Sequence, residues 1–88
     1  MYNIKFSKLA IKDKKLIERS KLLKIVNNLL CKIKEDPFCY PPSYEKLNFK
    51  YKMYSRRINA QHRLVYMVNE PKKEIYVIRM WTHYENIK

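Results

Sequence analysis

Tyr54 Ser55 Arg56 Arg57 Ile58, then Arg63 Leu64 Val65 Tyr66 Met67 Val68, then Glu74 Ile75 Tyr76 Val77 Ile78 Arg79 Met80 are three runs rich in Tyr, Val and Ile. Between them lie Asn59 Ala60 Gln61 His62 and Asn69 Glu70 Pro71 Lys72 Lys73, two clusters of turn-prone residues. This half of the chain therefore reads as strands joined in hairpins. Leu47 to Tyr51 is a weaker strand candidate ahead of them. Before that, Pro37 Phe38 Cys39 Tyr40 Pro41 Pro42 Ser43 has lost helical period and is stiffened by three prolines, which predicts an extended crossing.

Toward the N-terminus the period changes. Tyr2, Ile4 and Phe6 alternate with Asn3 and Lys5, the pattern of a strand with one face buried. Ser7 then caps a first helix, with Leu9, Ala10, Leu16 and Ile17 on its apolar stripe and Lys8, Lys12, Lys14 and Lys15 in water. Ser20 reads as the cap of a second helix whose stripe is Leu22, Leu23, Ile25, Val26, Leu29, Leu30 and Ile33, ended by Asp36 before Pro37. Strand, helix, helix, then three or four strands in hairpins predicts an α+β fold with the two N-terminal helices packed on one face of a small antiparallel β-sheet. At 88 residues the whole span 1–88 is expected to be a single domain burying roughly 65% of its unfolded surface, enough for one modest core.

Lys and Arg number 20 against 8 Asp and Glu, a formal net charge of +12 that points to a polyanionic partner, nucleic acid before anionic membrane. With 47% hydrophobic and 14% aromatic residues, disorder is not expected. The absence of glycine excludes a P-loop, a dinucleotide fingerprint and a nucleophile elbow, each of which needs glycine where backbone approaches a phosphate or turns sharply. Neither a signal-like apolar run nor a membrane-spanning stretch is present, so a cytoplasmic protein with no membrane partner is expected. Cys31 reads as a core or core-edge residue and Cys39 as a loop thiol; with only His62 and His83 beside them, no metal-ligand spacing can be written.

The helical lysines are spaced as on a solvated face. The stretch from Lys46 to Asn69 differs: Lys46, Lys50, Lys52, Arg56, Arg57 and Arg63 occur without a single Asp or Glu and are interleaved with Phe49, Tyr51, Tyr54 and Tyr66. Arginine forks grip phosphate oxygens and aromatic rings stack on unpaired bases, so RNA or ribosome contact is the favoured reading. A basic hairpin with core tyrosines accounts for Tyr66 but not for the adjacent Arg56 and Arg57. Strand alternation sends those two to opposite faces, so one of them turns toward the helices or along the sheet rim.

Metal-free RNA cleavage needs a base for the 2′-OH proton, an acid for the departing 5′-oxygen and cations on the phosphorane. Glu45, the only acid between Asp36 and Glu70, stands at the head of the basic stretch, and His83 lies near the end of the chain. By residue type alone the plainer reading of each is the favoured one, Glu45 as an ordinary surface carboxylate and His83 as a structural imidazole.

Four blocks, Pro41 Pro42 Ser43 Tyr44 Glu45 Lys46 Leu47, Tyr54 Ser55 Arg56 Arg57 Ile58 Asn59, His62 Arg63 Leu64 Val65 Tyr66 and Arg79 Met80 Trp81 Thr82 His83 Tyr84 Glu85, closely resemble in order and spacing the signature of the YoeB/Txe toxins of bacterial toxin–antitoxin modules. The resemblance implies a RelE-like fold and a ribosome-dependent endoribonuclease that enters the aminoacyl site of the 30S subunit and cuts messenger RNA within the codon, with no cofactor. It implies Glu45 as general base, His83 as general acid, Arg63 as the arginine on the phosphorane, Arg57 as a second active-site arginine and Tyr84 as a residue that places the substrate. It also implies an acidic antitoxin of the YefM/Axe type, and operator DNA bound only through the toxin–antitoxin complex; homodimers occur among the relatives. Asn48 stands where the family often has lysine, Gln61 where some members have glutamate, and Lys52 Met53 where a glycine is common.

Two other readings remain. A ParE-like gyrase inhibitor shares the fold but lacks the Glu and the C-terminal His-Tyr pair. In a non-catalytic RNA- or ribosome-binding module the cations and tyrosines do everything, binding weakens with salt, and Glu45→Gln or His83→Gln changes nothing.

Overall fold

The computed structural model describes residues 1–48 and 52–82. Strand β1 (Asn3–Phe6) leads into α1 (Lys8–Glu18) and α2 (Leu23–Glu35), and an irregular crossing then reaches β2 (Tyr44–Asn48), β3 (Met53–Arg57), β4 (Arg63–Asn69) and β5 (Glu74–Thr82). The strands form one sheet in the order β1-β5-β4-β3-β2. Strands β2 to β5 pair antiparallel, as the turn-separated runs predict.

β1 is the exception: it runs parallel to β5, Asn3 opposite Glu74 and Phe6 opposite Val77. The sheet is thus mixed rather than wholly antiparallel. A parallel pair needs a long connection between its strands, and here the helices and three other strands supply it.

Ser7 caps α1 as expected: its Oγ accepts the Ala10 N–H at 2.9 Å and donates to the Ile78 carbonyl at 2.7 Å, tying the helix start to β5. The buried line of α1 is Ala10, Asp13 and Ile17, spaced by three and four, whereas Leu9 and Leu16 are exposed. The stripe is therefore rotated from the expected one, because an acid takes its central place. Ser20 does not cap α2, which starts at Leu23 after Leu22. Its Oγ accepts the Leu22 N–H at 3.0 Å and donates to the Ile17 carbonyl at 2.8 Å, closing the turn between the helices. Val26, Leu29 and Ile33 are the buried line of α2; Ile25 and Cys31 fall off it and are exposed, which corrects the core-edge reading of Cys31.

Ala10, Ile17, Val26, Leu29 and Ile33 from the helices pack with Tyr54, Leu64, Tyr66, Val68, Ile75, Val77 and Met80 from the sheet in one apolar cluster. Each fully buried side chain of this kind contributes about 1.5–3 kcal/mol relative to exposure. Both helices thus cover one sheet face, and strand alternation sends Glu45, Ser55, Arg57, Arg63, Val65 and Met67 to the other. No helix among the described residues is long and apolar enough to cross a membrane. Lys52, in the turn ahead of β3, holds φ at 51°. That left-handed conformation costs a residue with a Cβ about 1–2 kcal/mol.

Candidate nucleic-acid site on the open sheet face

Three neighbouring strands bring Glu45, Arg57 and Arg63 together. On β2, Tyr44 packs against the core, so Glu45 turns to the open face, where its Oε1 lies 3.7 Å from Nη1 of Arg63. Arg63 opens β4, with Arg57 of β3 as its Cα partner on one side and Thr82 of β5 on the other. The Glu45 and Arg63 side chains are 53% and 23% exposed, and a pair this open contributes no more than about 1 kcal/mol to stability. Two arginines directly opposite across a ladder repel. The cluster therefore owes little to the fold, and an oxyanion seated between its two guanidinium groups would relieve its main electrostatic cost.

The turn between β3 and β4 sets the spacing of these arginines. Asn59 Oδ1 accepts the backbone N–H groups of Gln61 at 2.9 Å and His62 at 2.6 Å, while the His62 carbonyl accepts from Ile58 at 3.0 Å and Asn59 at 3.2 Å. The Asn59 carbonyl in turn accepts Nε of the exposed Arg57 at 3.3 Å. His62 is buried, its ring stacked on Trp81 with centroids 4.0 Å apart and planes 20° from parallel. That contact fastens the end of β5 to the same turn.

Arg56 is a correction. It was expected to touch RNA, but it is fully buried, the member of the Arg56–Arg57 pair that alternation turns inward. Its Nε donates to the Tyr66 hydroxyl at 2.9 Å, Nη1 to the Pro42 carbonyl at 2.7 Å, and Nη2 to the Pro37 and Cys39 carbonyls at 3.0 and 2.9 Å. Its charge also sits 4.8 Å from the centroid of the Tyr44 ring. No face of the guanidinium is left for phosphate; it holds the 37–42 crossing against the sheet instead. Burial pushes the Tyr66 hydroxyl up to about 12, the Arg56 hydrogen bond opposing that rise in part.

The other basic residues separate. Lys46 is exposed on β2 beside Glu45. Lys52 lies beyond the far end of β3, five residues from Arg57 and so roughly 17 Å along the strand. There it lines a cavity of about 430 Å³ with Lys5, Met67, Glu70, Glu74 and Tyr76. It is not brought to the Glu45–Arg63 pair. Lys50, His83 and Tyr84 lie outside the described residues; in sequence His83 directly follows Thr82, the Cα partner of Arg63.

Sequence reasoning missed the Asp13–Arg79 link. Asp13, buried in α1, accepts Nε and Nη2 of Arg79 at 2.8 and 3.2 Å and the Met80 backbone N–H at 2.9 Å. The signal was an acid centred between Ala10 and Ile17 on an apolar stripe, a place where an unpaired carboxylate is untenable. The link binds α1 to the part of β5 that leads to the site. Among the described residues no group of three or more His, Cys, Asp or Glu side chains is placed to hold a metal ion.

The two-layer α+β fold, two helices on one face of a five-stranded sheet, is the RelE-like fold of the YoeB toxins. Residues 6–84 match the family model of the YoeB-like toxin of bacterial type II toxin–antitoxin systems, and the chain belongs to that family. Among solved structures, a YoeB/ParE toxin from Agrobacterium tumefaciens is similar at 27% identity and TM-score 0.82, covering 93% of this chain and 99% of that one. The YoeB–YefM complex from Staphylococcus aureus is similar at 34% identity and TM-score 0.77, covering 96% and 99%. A YoeB dimer from Staphylococcus aureus is similar at 34% identity and TM-score 0.79, covering 94% and 98%. No curated protein matches the chain in sequence.

Proposed function

We propose that this toxin is a ribosome-dependent endoribonuclease that cuts messenger RNA in the aminoacyl site of the 30S subunit and so inhibits translation. The observation that carries the reading is the 3.7 Å contact of Glu45 with Arg63, beside Arg57 on the open face. A surface that only binds a polyanion gains nothing from a carboxylate placed there, because that carboxylate repels phosphate. A transesterification site needs one.

Glu45 takes the proton of the 2′-OH as its oxygen attacks phosphorus, and the bond from phosphorus to the 5′-oxygen breaks. Arg63, with Arg57 beside it, carries the charge that gathers on the phosphorane oxygens. His83 gives its proton to the departing 5′-oxygen, and Tyr84 places the substrate, both by resemblance to the family. The products are a 2′,3′-cyclic phosphate, opened by water to a 3′-phosphate, and a 5′-hydroxyl end. No cofactor enters, and DNA, lacking the 2′-OH, is not cut.

With the Glu45 side chain half exposed, alignment of the RNA for in-line attack is supplied by the ribosome. Lys46 and Lys50 add attraction to the RNA near Glu45; Lys52, at the other end of β3, acts on more distant backbone. An acidic antitoxin of the YefM/Axe type is the inhibitor, a reading supported by the existence of a YoeB–YefM complex in Staphylococcus aureus, and operator DNA is held through it. A homodimer is one assembly open to this chain, supported by the YoeB dimer from Staphylococcus aureus, and a toxin that acts on translating ribosomes works in the cytoplasm.

Primer extension on a defined message, with and without ribosomes, tests the reading. A ribosome-dependent stop inside a codon, absent in Glu45→Gln and His83→Gln although both still bind ribosomes, is the expected result. Cleavage of free RNA, or intact activity in either variant, overturns it.

A further inference from the structure

We propose that Tyr40 is a stacking platform for an unpaired base of single-stranded RNA next to the Glu45–Arg63 site. The proposal shares with the reading above only that the ligand is RNA; no resemblance to the family assigns this residue a role.

Tyr40 is 73% exposed, and among the described aromatic residues only Tyr76, at 45%, is also exposed. Tyr2, Phe6, Phe38, Tyr44, Tyr54, Tyr66 and Trp81 all pack in or against the core. An outward ring on a loose loop would mean little. Here the backbone on both sides of the ring is fixed: the buried Arg56 guanidinium holds the Cys39 carbonyl at 2.9 Å and the Pro42 carbonyl at 2.7 Å. Pro41 and Pro42 lock φ just after it. Beneath the crossing, the interior is filled by Arg56 and by the edge-to-face contacts of Phe38 and Tyr44 with Tyr54, so no space is left for a further ring to turn inward. A ring on pinned backbone loses little freedom when a base stacks on it, and that preorganisation is what binding rewards.

Place and charge select the ligand. Arg56, which holds the loop, is the Cα partner of Tyr44 and the sequence neighbour of Arg57; Glu45 follows Tyr44. Glu45 is five positions on from Tyr40, a backbone contour of at most about 17 Å, so the stacked base lies within a few nucleotides of the scissile one. The exposed Arg57 draws the phosphates of the same strand.

Binding alone tests the proposal, with no need for cleavage. The probe is a short, mixed-sequence single-stranded RNA carrying 2′-O-methyl groups, labelled at one end and followed by anisotropy. Tyr40→Leu is expected to weaken it about tenfold, with the slope against salt unchanged, because stacking releases no counterions. Tyr40→Phe should bind as the parent does. An abasic nucleotide at one position should weaken the parent by the same factor and leave Tyr40→Leu unaffected. Equal affinity of the parent and Tyr40→Leu overturns the proposal and leaves the ring to a protein partner. A loss as large in Tyr40→Phe overturns it in favour of a hydroxyl contact, and failure of the parent to bind the probe also overturns it. Should the parent bind but not cut ribosome-bound message, the nuclease reading fails while the Tyr40 result stands. Melting curves check that each variant is folded, and Tyr40→Phe is the internal control.

Discussion

Arg57 and Arg63 are Cα partners across β3 and β4, two like charges directly opposite on the sheet face the helices leave bare. On the function proposed above, such a pair is kept for what it binds rather than for what it holds together. Arg57→Ala is expected to change unfolding free energy by less than about 0.5 kcal/mol. The same change should lower cleavage of ribosome-bound message at least about tenfold. Urea denaturation beside primer extension measures both; a large loss of stability with normal cleavage would contradict the assignment of Arg57 to the site.

Arg56 should behave in the opposite way. Arg56→Met removes the donors to three backbone carbonyls and to Tyr66 and is expected to cost about 3 kcal/mol or more. Arg56→Lys should recover less than half of that, since an ammonium cannot reproduce the planar fork. Denaturant midpoints compare them; a fully stable Arg56→Met would mean that the crossing is held by something else.

Asp13→Asn keeps the shape of the side chain and discards its charge. The Arg79 guanidinium then faces a neutral amide, and about 2–3 kcal/mol of stability is expected to go. Hydrogen exchange should locate the loosening at Arg79 to Thr82 and at the middle of α1. Uniform loosening across the sheet would show that the link is not local in its effect.

At high pH the weak point is Tyr66, whose hydroxyl is pushed up to about 12 chiefly by burial. The unfolded chain releases this proton near the ordinary value of 10.0, before the folded one does. The stability tied to the protonated hydroxyl is therefore complete below that value and is lost as pH rises from there toward about 12. An ultraviolet titration should show one tyrosine ionising late, and Tyr66→Phe should abolish that late phase. Persistence of the late phase in the variant would assign it to another ring, of which Tyr54, also raised by burial, is the first candidate.

At low pH the corresponding group is Glu74, held below the usual carboxylate range first by its hydrogen bond from Lys5, with Lys72 adding to the effect. A depressed carboxylate favours the fold above the unfolded value of 4.5 and loses that contribution as pH falls through its folded value. The difference in stability between the parent and Glu74→Gln should shrink as the solution is acidified. A difference that stays constant with pH would show that the Lys5 contact carries no linkage.

The hairpin half of the fold was legible because turn residues and β-branched runs are local signals: Asn59 and the Asn69 Glu70 Pro71 cluster mark the turns where they occur. The direction of β1 was not, since Asn3 meets Glu74 only through a register no local pattern encodes. The helix stripe was read one step off because Leu9 and Leu16 look more buried than an aspartate does; only the distant Arg79 makes Asp13 a core residue. At the site, alternation already said that Arg56 and Arg57 part company. Which of them turns inward depends on the Pro37 and Pro42 carbonyls, brought there by tertiary structure. Glu45 and Arg63 were singled out by their place in the signature blocks, and their proximity follows from two strand registers.

The strand order also fixes a schedule. Among the described residues β5, the latest strand in the chain, lies between β1, the earliest, and β4, so neither β1 nor the hairpins find their full neighbours until residues near Thr82 have left the exit tunnel. Long-range closure of this kind is slow compared with helix formation. A nascent copy therefore cannot finish its sheet until the codons for β5 have been read and that strand has cleared the ribosome.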